Sequence, residues 1–478
     1  MDYRQLVEQA VEANRERILE LSDAIFDYAE IGFREFRSVE QFTRMLQEDG
    51  FEVTCGLDGM PTAFRASYGS GRPLIGLLAE YDALPDLSQK AGSDVRCPAD
   101  GPVTDGHGCG HNLLGAGCYA AALALKEYLA QNPGKGTVVL YGCPSEEKGC
   151  SKTHLARDGF FDEMDIAYAW HPFAVTEAAT YSMLANVSVF FRFKGITSHA
   201  AAAPHMGRSA LDAAELMSVG VNYLREHIVP EARIHYAYRD VGGIAPNVVQ
   251  GTSCVHYFVR APKNYQVQEI LPRVVDVARG AALMTGTEMS WELYSGLSDL
   301  IVNRVVTEGM HEALCQLGMP ELTEEDWAFA RRMFLAADSE EALQMKIDRI
   351  RAEYGDRAEE ILEHPVDMEI RTPVWNGQCQ MGSSDVGDAS YIAPLAFLSL
   401  PTAVVGTSTH TWQMTAQGKG PIAHKMVLHA GKVMALAAIG MYEDPDKVAA
   451  ARAELLKATG GRYDCPLPKE LRPRLEEG

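Results

Sequence analysis

Apolar and polar positions along this chain change rhythm twice. Up to about residue 50 the apolar positions recur at helical spacing, as in MDYRQLVEQAVEANRERILEL, and predict one or two helices ending near Gly50. Beyond Gly50 the pattern turns to strands. PLIGLLAEYDALP (73–85) is a nearly continuous apolar run that enters a loop at Asp82. TVVLYGCPSEE (137–147) opens into a polar loop, and DIAYAWHP (165–172) repeats the design. Runs of this kind suit a parallel sheet covered on both faces. GHNLLGAGCYAAALALKEYLAQN (110–132) predicts a tightly packed helix rich in small residues and starting at the glycines. Apolar strands alternating with helices predict an α/β fold, in which ligands bind at the carboxyl ends of the strands.

Near residue 182 the rhythm becomes two-residue alternation. ANVSVFFRFKG (185–195) and GTSCVHYFVRAP (251–262) predict half-buried antiparallel strands, with an amphipathic helix, SALDAAELMSVGVNYLREHI (209–228), between them. The expected architecture is therefore a mixed-sheet α/β/α domain, residues 1–181 and 299–478, interrupted by a smaller α+β dimerisation domain at 182–298. The charged stretch 322–364 predicts helices, read as a solvated accessory pair. GTSTHTW (406–412) follows a strand, and GPIAHKMVLHAGKVMALAAIGMYE (420–443) is a closing helix.

Composition refines this picture. At 478 residues, two domains are the natural expectation. Apolar residues make up 47% and charged residues 23%, as in globular proteins. No uninterrupted apolar run of membrane-spanning length is present, and the N-terminus lacks a signal-peptide layout, so a cytoplasmic protein is expected. The ten cysteines are too scattered for a disulfide scaffold and are expected mostly as small buried residues. A net charge of −22 argues against nucleic-acid and anionic-membrane partners. An anionic substrate would need local positive charge.

Candidate chemistry sits at the predicted strand ends. In GHGCGH (106–111), His107, Cys109 and His111 lie in a glycine-rich loop where the backbone can approach a small object closely. Thiolate and imidazole are ligands for borderline metals. The same pattern also fits a buried cysteine with hydrogen-bonded histidines at a tight turn. Glu146 and Glu147 follow an apolar strand. A bare pair of glutamates is ordinarily solvated, but His171 and His410 also occupy strand ends. It is the recurrence of ligand-type residues at such places that points to a metal site.

GHGCGHNLLGAG, PSEEKG, AWHP, SHAAAAPHMGRSALDA, GGIAPNVVQG and the HTW segment, spread over about residues 27–443, resemble the dinuclear metallopeptidase family of aminoacylases and carboxypeptidase G. The similarity is to its amidohydrolase branch with a Cys-Gly-His motif. The resemblance implies Cys109, His111, Glu147, His171 and His410 as ligands of two divalent ions. Glu146 would be the general base and acid, and His199 would reach a partner subunit's site to steady the oxyanion. Asn247 and Arg260 would contact substrate, and Asp82 would orient a ligand. The implied reaction is hydrolysis of an N-acyl amino acid, with p-aminobenzoyl-glutamate the leading candidate and dipeptides or other N-acyl amino acids as alternatives. Manganese ranks ahead of zinc on the resemblance, although thiolate and imidazole favour zinc on affinity. The partner would be a second copy or a related subunit.

Three positions depart from the family pattern. Asn112 stands where Asp is frequent, and Glu80 stands where many relatives of the wider family carry a His, two residues before Asp82. The interval from His171 to His410 is long, with 322–364 the extra part. Two other readings compete: a cysteine amidase with Cys109 as nucleophile, and a non-catalytic partner subunit. The first leaves Glu147, His171 and His410 without a task. The second sits poorly with a complete ligand set.

Overall fold

The computed structural model describes residues 2–475. Seven strands form one mixed sheet in the order Glu52–Cys55, Phe64–Ser70, Gly136–Gly142, Leu74–Ala79, Ile166–Phe173, Leu395–Pro401, Glu177–Ala178. The central four run parallel and the outer strands antiparallel. Alternate residues of each central strand feed different layers. Ile75, Leu77 and Ala79 join one core with the helices His111–Gln131 and Pro421–Glu443. Leu74 and Leu78 join a second core on the opposite face. Burial on both faces is why these strands read as unbroken apolar runs.

The small residues of His111–Gln131 are required by close approach. A Cβ on Gly117 would lie 2.5 Å from Trp170 Nε1, and one on Gly431 would lie 2.4 Å from Ala120 Cβ. Pro421–Glu443 is long and apolar enough to cross a membrane, yet 83% of its most apolar window is buried within the protein.

Four antiparallel strands, in the order Glu288–Leu297, Ala185–Lys194, Thr252–Ala261, Arg233–Asp240, form a separate sheet. Its core is packed by Ala210–Leu224 and Asn264–Thr285. Val187, Val189, Phe191, Val255, Tyr257 and Val259 face that core. Their neighbours Ser188, Phe190, His256, Phe258 and Arg260 face a cavity beside the first sheet.

Several expectations need correction. Residues before Gly50 form three helices, Tyr3–Ala13, Arg15–Tyr28 and Phe36–Glu48. Pro421–Glu443 does not close the chain, because Pro445–Thr459 follows it. Four of the ten cysteines are buried and the rest are partly or fully exposed. The stretch 322–364 holds three helices, Glu324–Leu335, Glu340–Tyr354 and Ala358–Glu363, and Ala330, Met333, Phe334, Ile350 and Ile361 sink into the main core. A purely solvated pair is therefore not what the chain builds.

Candidate metal centre

Three loops at carboxyl ends of the parallel strands meet the glycine loop before His111. In that loop a Cβ on Gly106 would sit 2.0 Å from the Leu87 carbonyl oxygen, and Gly110 adopts φ +79°. Glycine thus folds Cys109 back onto the strand ends. The 145–147 turn begins at Ser145, with φ +54°. Its amide donates to Glu35 Oε1 at 2.8 Å, which fixes where Glu146 and Glu147 emerge.

The result is a compact donor cluster. Single ligand atoms of Cys109, His111 and His171 lie within 4.8 Å of one another, as do those of Cys109, Glu147 and His410, and those of Glu80, His111 and Glu146. Cys109 belongs to the first two groups and His111 to the first and third. Asp82 divides its oxygens: Oδ1 lies 2.8 Å from His111 Nδ1, and Oδ2 accepts from the Glu147 amide at 3.0 Å. This leaves His111 Nε2 pointing inward. His171 Nδ1 is 2.9 Å from the Pro172 carbonyl, so its Nε2 likewise faces the cluster, 3.5 Å from Cys109 Sγ. His410 Nε2 lies 3.3 Å from Glu147 Oε1.

Among the described residues the buried His111 Nε2, Glu147 Oε1 and Glu80 Oε2 make no hydrogen bond, although His111 Nε2 lies 3.2 Å from Glu80 Oε2 and His410 Nε2 lies 3.3 Å from Glu147 Oε1. Orphaned polar atoms of this kind, facing one another, are costly unless something charged lies between them. The set of one thiol, three imidazoles and two to three carboxylates suits a pair of divalent cations.

The protonation preferences agree. Burial opposes charge on His111, but Cys109, Asp82 and Glu80 outweigh it and hold its pKa well above the ordinary histidine value. Burial and the His111 charge push His171 down to about 4. Burial, reinforced by Glu147, drives the Cys109 thiol up, the opposite of an activated nucleophile. Such a thiol ionises only beside a cation.

The cluster forms one end of a cavity of about 990 Å3 whose opposite wall is the four-stranded sheet. On that wall Phe190 stacks on His256 with centroids 4.3 Å apart; Tyr294 stands edge-on to Phe190, and Phe258 edge-on to His256. Arg260 lies over Phe258 and donates to Ser383 Oγ at 3.3 Å. Among the described residues no carboxylate pairs with it.

Residues 76–293 match the peptidase family M20/M25/M40. Over 98% of both chains, the protein is 42% identical to one subunit of the p-aminobenzoyl-glutamate hydrolase of Escherichia coli. The chain belongs to the peptidase M20 family. It is also 28% identical to the Xaa-Arg dipeptidase of Mus musculus, over 97% of this chain and 92% of that one. In fold it matches a Bacillus subtilis protein described as a dinuclear metal-binding peptidase of the M20 family, with a TM-score of 0.58 and 17% identity, over 90% and 99% of the two chains. M20 membership makes it a metal-dependent hydrolase of amide or peptide bonds.

Of the residues singled out in the sequence, Cys109, His111, Glu146, Glu147, His171, His410 and Asp82 converge, and Arg260 lines the same cavity. His199 and Asn247 do not. They lie together on an exposed end of the four-stranded sheet, where the Ala200 amide donates to the Asn247 carbonyl at 2.9 Å.

Sequence reasoning missed a second layer. Lys152 is completely buried, 2.7 Å from Glu80 Oε1 and 2.5 Å from Asp385 Oδ1. Burial opposes the charge on Glu80, but Lys152 and His111 hold its pKa below the ordinary range. Glu80, which the sequence marks only as a departure from the family pattern, lies two residues before Asp82 just past the strand Leu74–Ala79. Nothing in the spacing flags Lys152 or Asp385.

Proposed function

We propose that the chain hydrolyses the amide bond of an N-acyl amino acid, with p-aminobenzoyl-glutamate cleaved to p-aminobenzoate and glutamate as the leading substrate. The observation that carries this reading is the shared cavity. A donor cluster for two cations closes one end, and an aromatic shelf with a guanidinium that has no carboxylate partner lines the other. A desolvated arginine without a counter-charge is unfavourable until an anion joins it, and burial already lowers the Arg260 pKa. A benzoyl ring offers stacking area to Phe190, His256 and Phe258, and an amino-acid carboxylate offers Arg260 its partner. The name of the E. coli relative fits the same substrate.

Cys109, His111, Glu147, His171 and His410 would hold two divalent ions, manganese ahead of zinc. Bound ions supply Lewis acidity and bring the pKa of water from 15.7 to about 7. Glu146 takes the proton of the attacking water and returns it to the leaving amine, a transfer that amide cleavage requires because amines leave poorly. Asp82 keeps His111 and Glu147 in register. Arg260 takes the substrate carboxylate. His199 and Asn247 reach the cavity of a partner, where His199 supports the developing oxyanion. That partner is a second copy or a related chain. The E. coli relative is named as one of two subunits of its enzyme, and the other is itself 25% identical to this chain over 54% of its length. The division of the chain into residues 1–181 with 299–478, and 182–298, belongs to the same reading.

The test is a panel of N-acyl amino acids and dipeptides assayed after reconstitution with manganese or zinc. The expected order places p-aminobenzoyl-glutamate first, and Arg260→Ala raises KM for acidic substrates. Equal turnover of amides lacking a carboxylate would refute the substrate assignment. Full activity in a metal-stripped, chelator-treated protein would refute the mechanism.

A further inference from the structure

His410 stands apart from the other donors in how it is held. Its side chain is 53% exposed, and its backbone lies in the left-handed region at φ +62°, unusual for a residue with a side chain. It sits on a loop with no regular structure between the strand ending at Pro401 and the helix Trp412–Gln417. A ligand so placed needs outside support, because a loop alone leaves many backbone states open.

That support comes from the helical insertion. The Trp412 indole Nε1 donates to Asp338 Oδ1 at 2.8 Å, and Gln413 Nε2 donates to Asp338 Oδ2 at 3.4 Å. Asp338 lies between the helices Glu324–Leu335 and Glu340–Tyr354, so it reports their position to the residues just after His410. On the other side, Gly406 at φ +80° packs under Lys346, where a Cβ would lie 2.7 Å from Lys346 Cγ. Lys346 is itself fixed. Its ammonium donates to the Phe334 carbonyl at 2.6 Å and lies 4.5 Å from the Phe334 ring centre. The Val405 amide donates to the Pro365 carbonyl at 2.9 Å, just past the insertion's last helix. Inward, the His410 amide donates to the Gly108 carbonyl at 2.7 Å, tying the loop to the neighbour of Cys109.

We propose that the insertion Glu324–Glu363 is a clamp that positions His410 for its cation, acting through Asp338 on Trp412 and through Lys346 on Gly406. Asp338, Trp412 and Lys346 are positioning residues and touch neither substrate nor cation. The clamp rests on the reading of His410 as a ligand. Outer partners that orient a ligand are typically worth about 10–100-fold in metal affinity. Asp338 is exposed and lies outside the apolar core, so its loss leaves that core intact.

The experiment titrates metal-free protein with manganese, and separately with zinc, by calorimetry, alongside kcat, KM and thermal midpoint. The variants are Asp338→Ala, Asp338→Asn, Trp412→Phe and His410→Ala. The expected result is that Asp338→Ala and Trp412→Phe weaken one of the two cations about 10–100-fold. Both should lower kcat more than they raise KM; Asp338→Ala leaves the thermal midpoint unchanged, whereas Trp412→Phe also trims a buried core side chain and lowers it. Asp338→Asn, which keeps an acceptor for the indole, restores the affinity. Wild-type binding of both cations by Asp338→Ala, with one cation lost in His410→Ala, would overturn the clamp and leave the ligand reading standing. Equal weakening of both cations together with a fall in thermal midpoint would also overturn it, as general destabilisation. Retention of both cations by His410→Ala would remove the ligand reading, and the clamp with it.

Discussion

Glu146 and Glu147 are adjacent in the chain and stand in opposite surroundings. Burial raises Glu146 well above the ordinary carboxylate pKa, reinforced by Glu80 and Glu147. At Glu147 burial pushes the same way, but His410 and His111 outweigh it and the pKa falls. Two neighbouring carboxylates driven apart in this way suit different tasks, one carrying a proton and the other staying charged. Glu146→Gln keeps the shape and removes the titration. It should retain both cations by metal analysis while kcat drops about 10²–10⁴-fold. Near wild-type turnover would transfer the proton-carrying role to another group. At this scale the sequence is informative where a ligand-type side chain stands in or just after a strand, as for His171 and Glu147, or in a glycine loop, as for Cys109; His410, expected at a strand end, instead lies on a loop just before the helix Trp412–Gln417. It is silent where a buried charge finds its partner far along the chain. Lys152 and Asp385 pair across 233 positions, and no local pattern encodes that pairing.

Elements are legible in proportion to how regularly they are buried. Leu74–Ala79 and Ile166–Phe173 are covered on both faces and read as apolar runs, while Ala185–Lys194 and Thr252–Ala261 alternate because one face meets a core and the other a cavity. Glu177–Ala178 and Ser182–Met183 are too short to carry any rhythm. The helices of 322–364 are legible as helices, but periodicity tells that a face is covered and not by what. The strand Arg233–Asp240 raises the same question. Among the described residues it pairs on one side only, with six consecutive exposed residues, His235 to Asp240. Open edges of this kind invite a partner strand. If a second copy docks there, His199 of one chain serves the cavity of the other. Mixing His199→Ala chains with Glu146→Gln chains would then build one intact site in each mixed dimer. Activity should return to about a quarter of wild type, the statistical yield for a twofold assembly. Inactive parents that stay inactive after mixing, with mixed dimers demonstrated by mass spectrometry, would exclude a site shared between identical copies.

At the level of the whole molecule, folding traps several histidines in their neutral form. Burial lowers His107 to about 3, His154 to about 4 and His429 to about 3. His107 still places one ring nitrogen 3.0 Å from the Ile25 carbonyl, whereas His429, inside Pro421–Glu443, has a buried Nε2 with no hydrogen-bond partner among the described residues. In the unfolded chain each histidine gains a proton near its ordinary pKa of about 6.5. Below that pH the unfolded state binds more protons than the folded state, so stability falls as pH falls and returns as pH rises. The buried acids Glu35 and Asp385, raised to about 8 and about 6 by burial, act in the opposite direction and blunt the total slope. A difference between variants isolates one group. His429→Met removes the titration while keeping an apolar side chain of similar bulk. Relative to wild type it should gain about 2 kcal/mol in unfolding free energy on going from about pH 7.5 to about pH 5, read from urea midpoints. Cation loss in acid affects both proteins alike and cancels. Parallel pH profiles would mean that His429 is protonated inside the fold, and that a counter-charge reaches it that this packing does not provide.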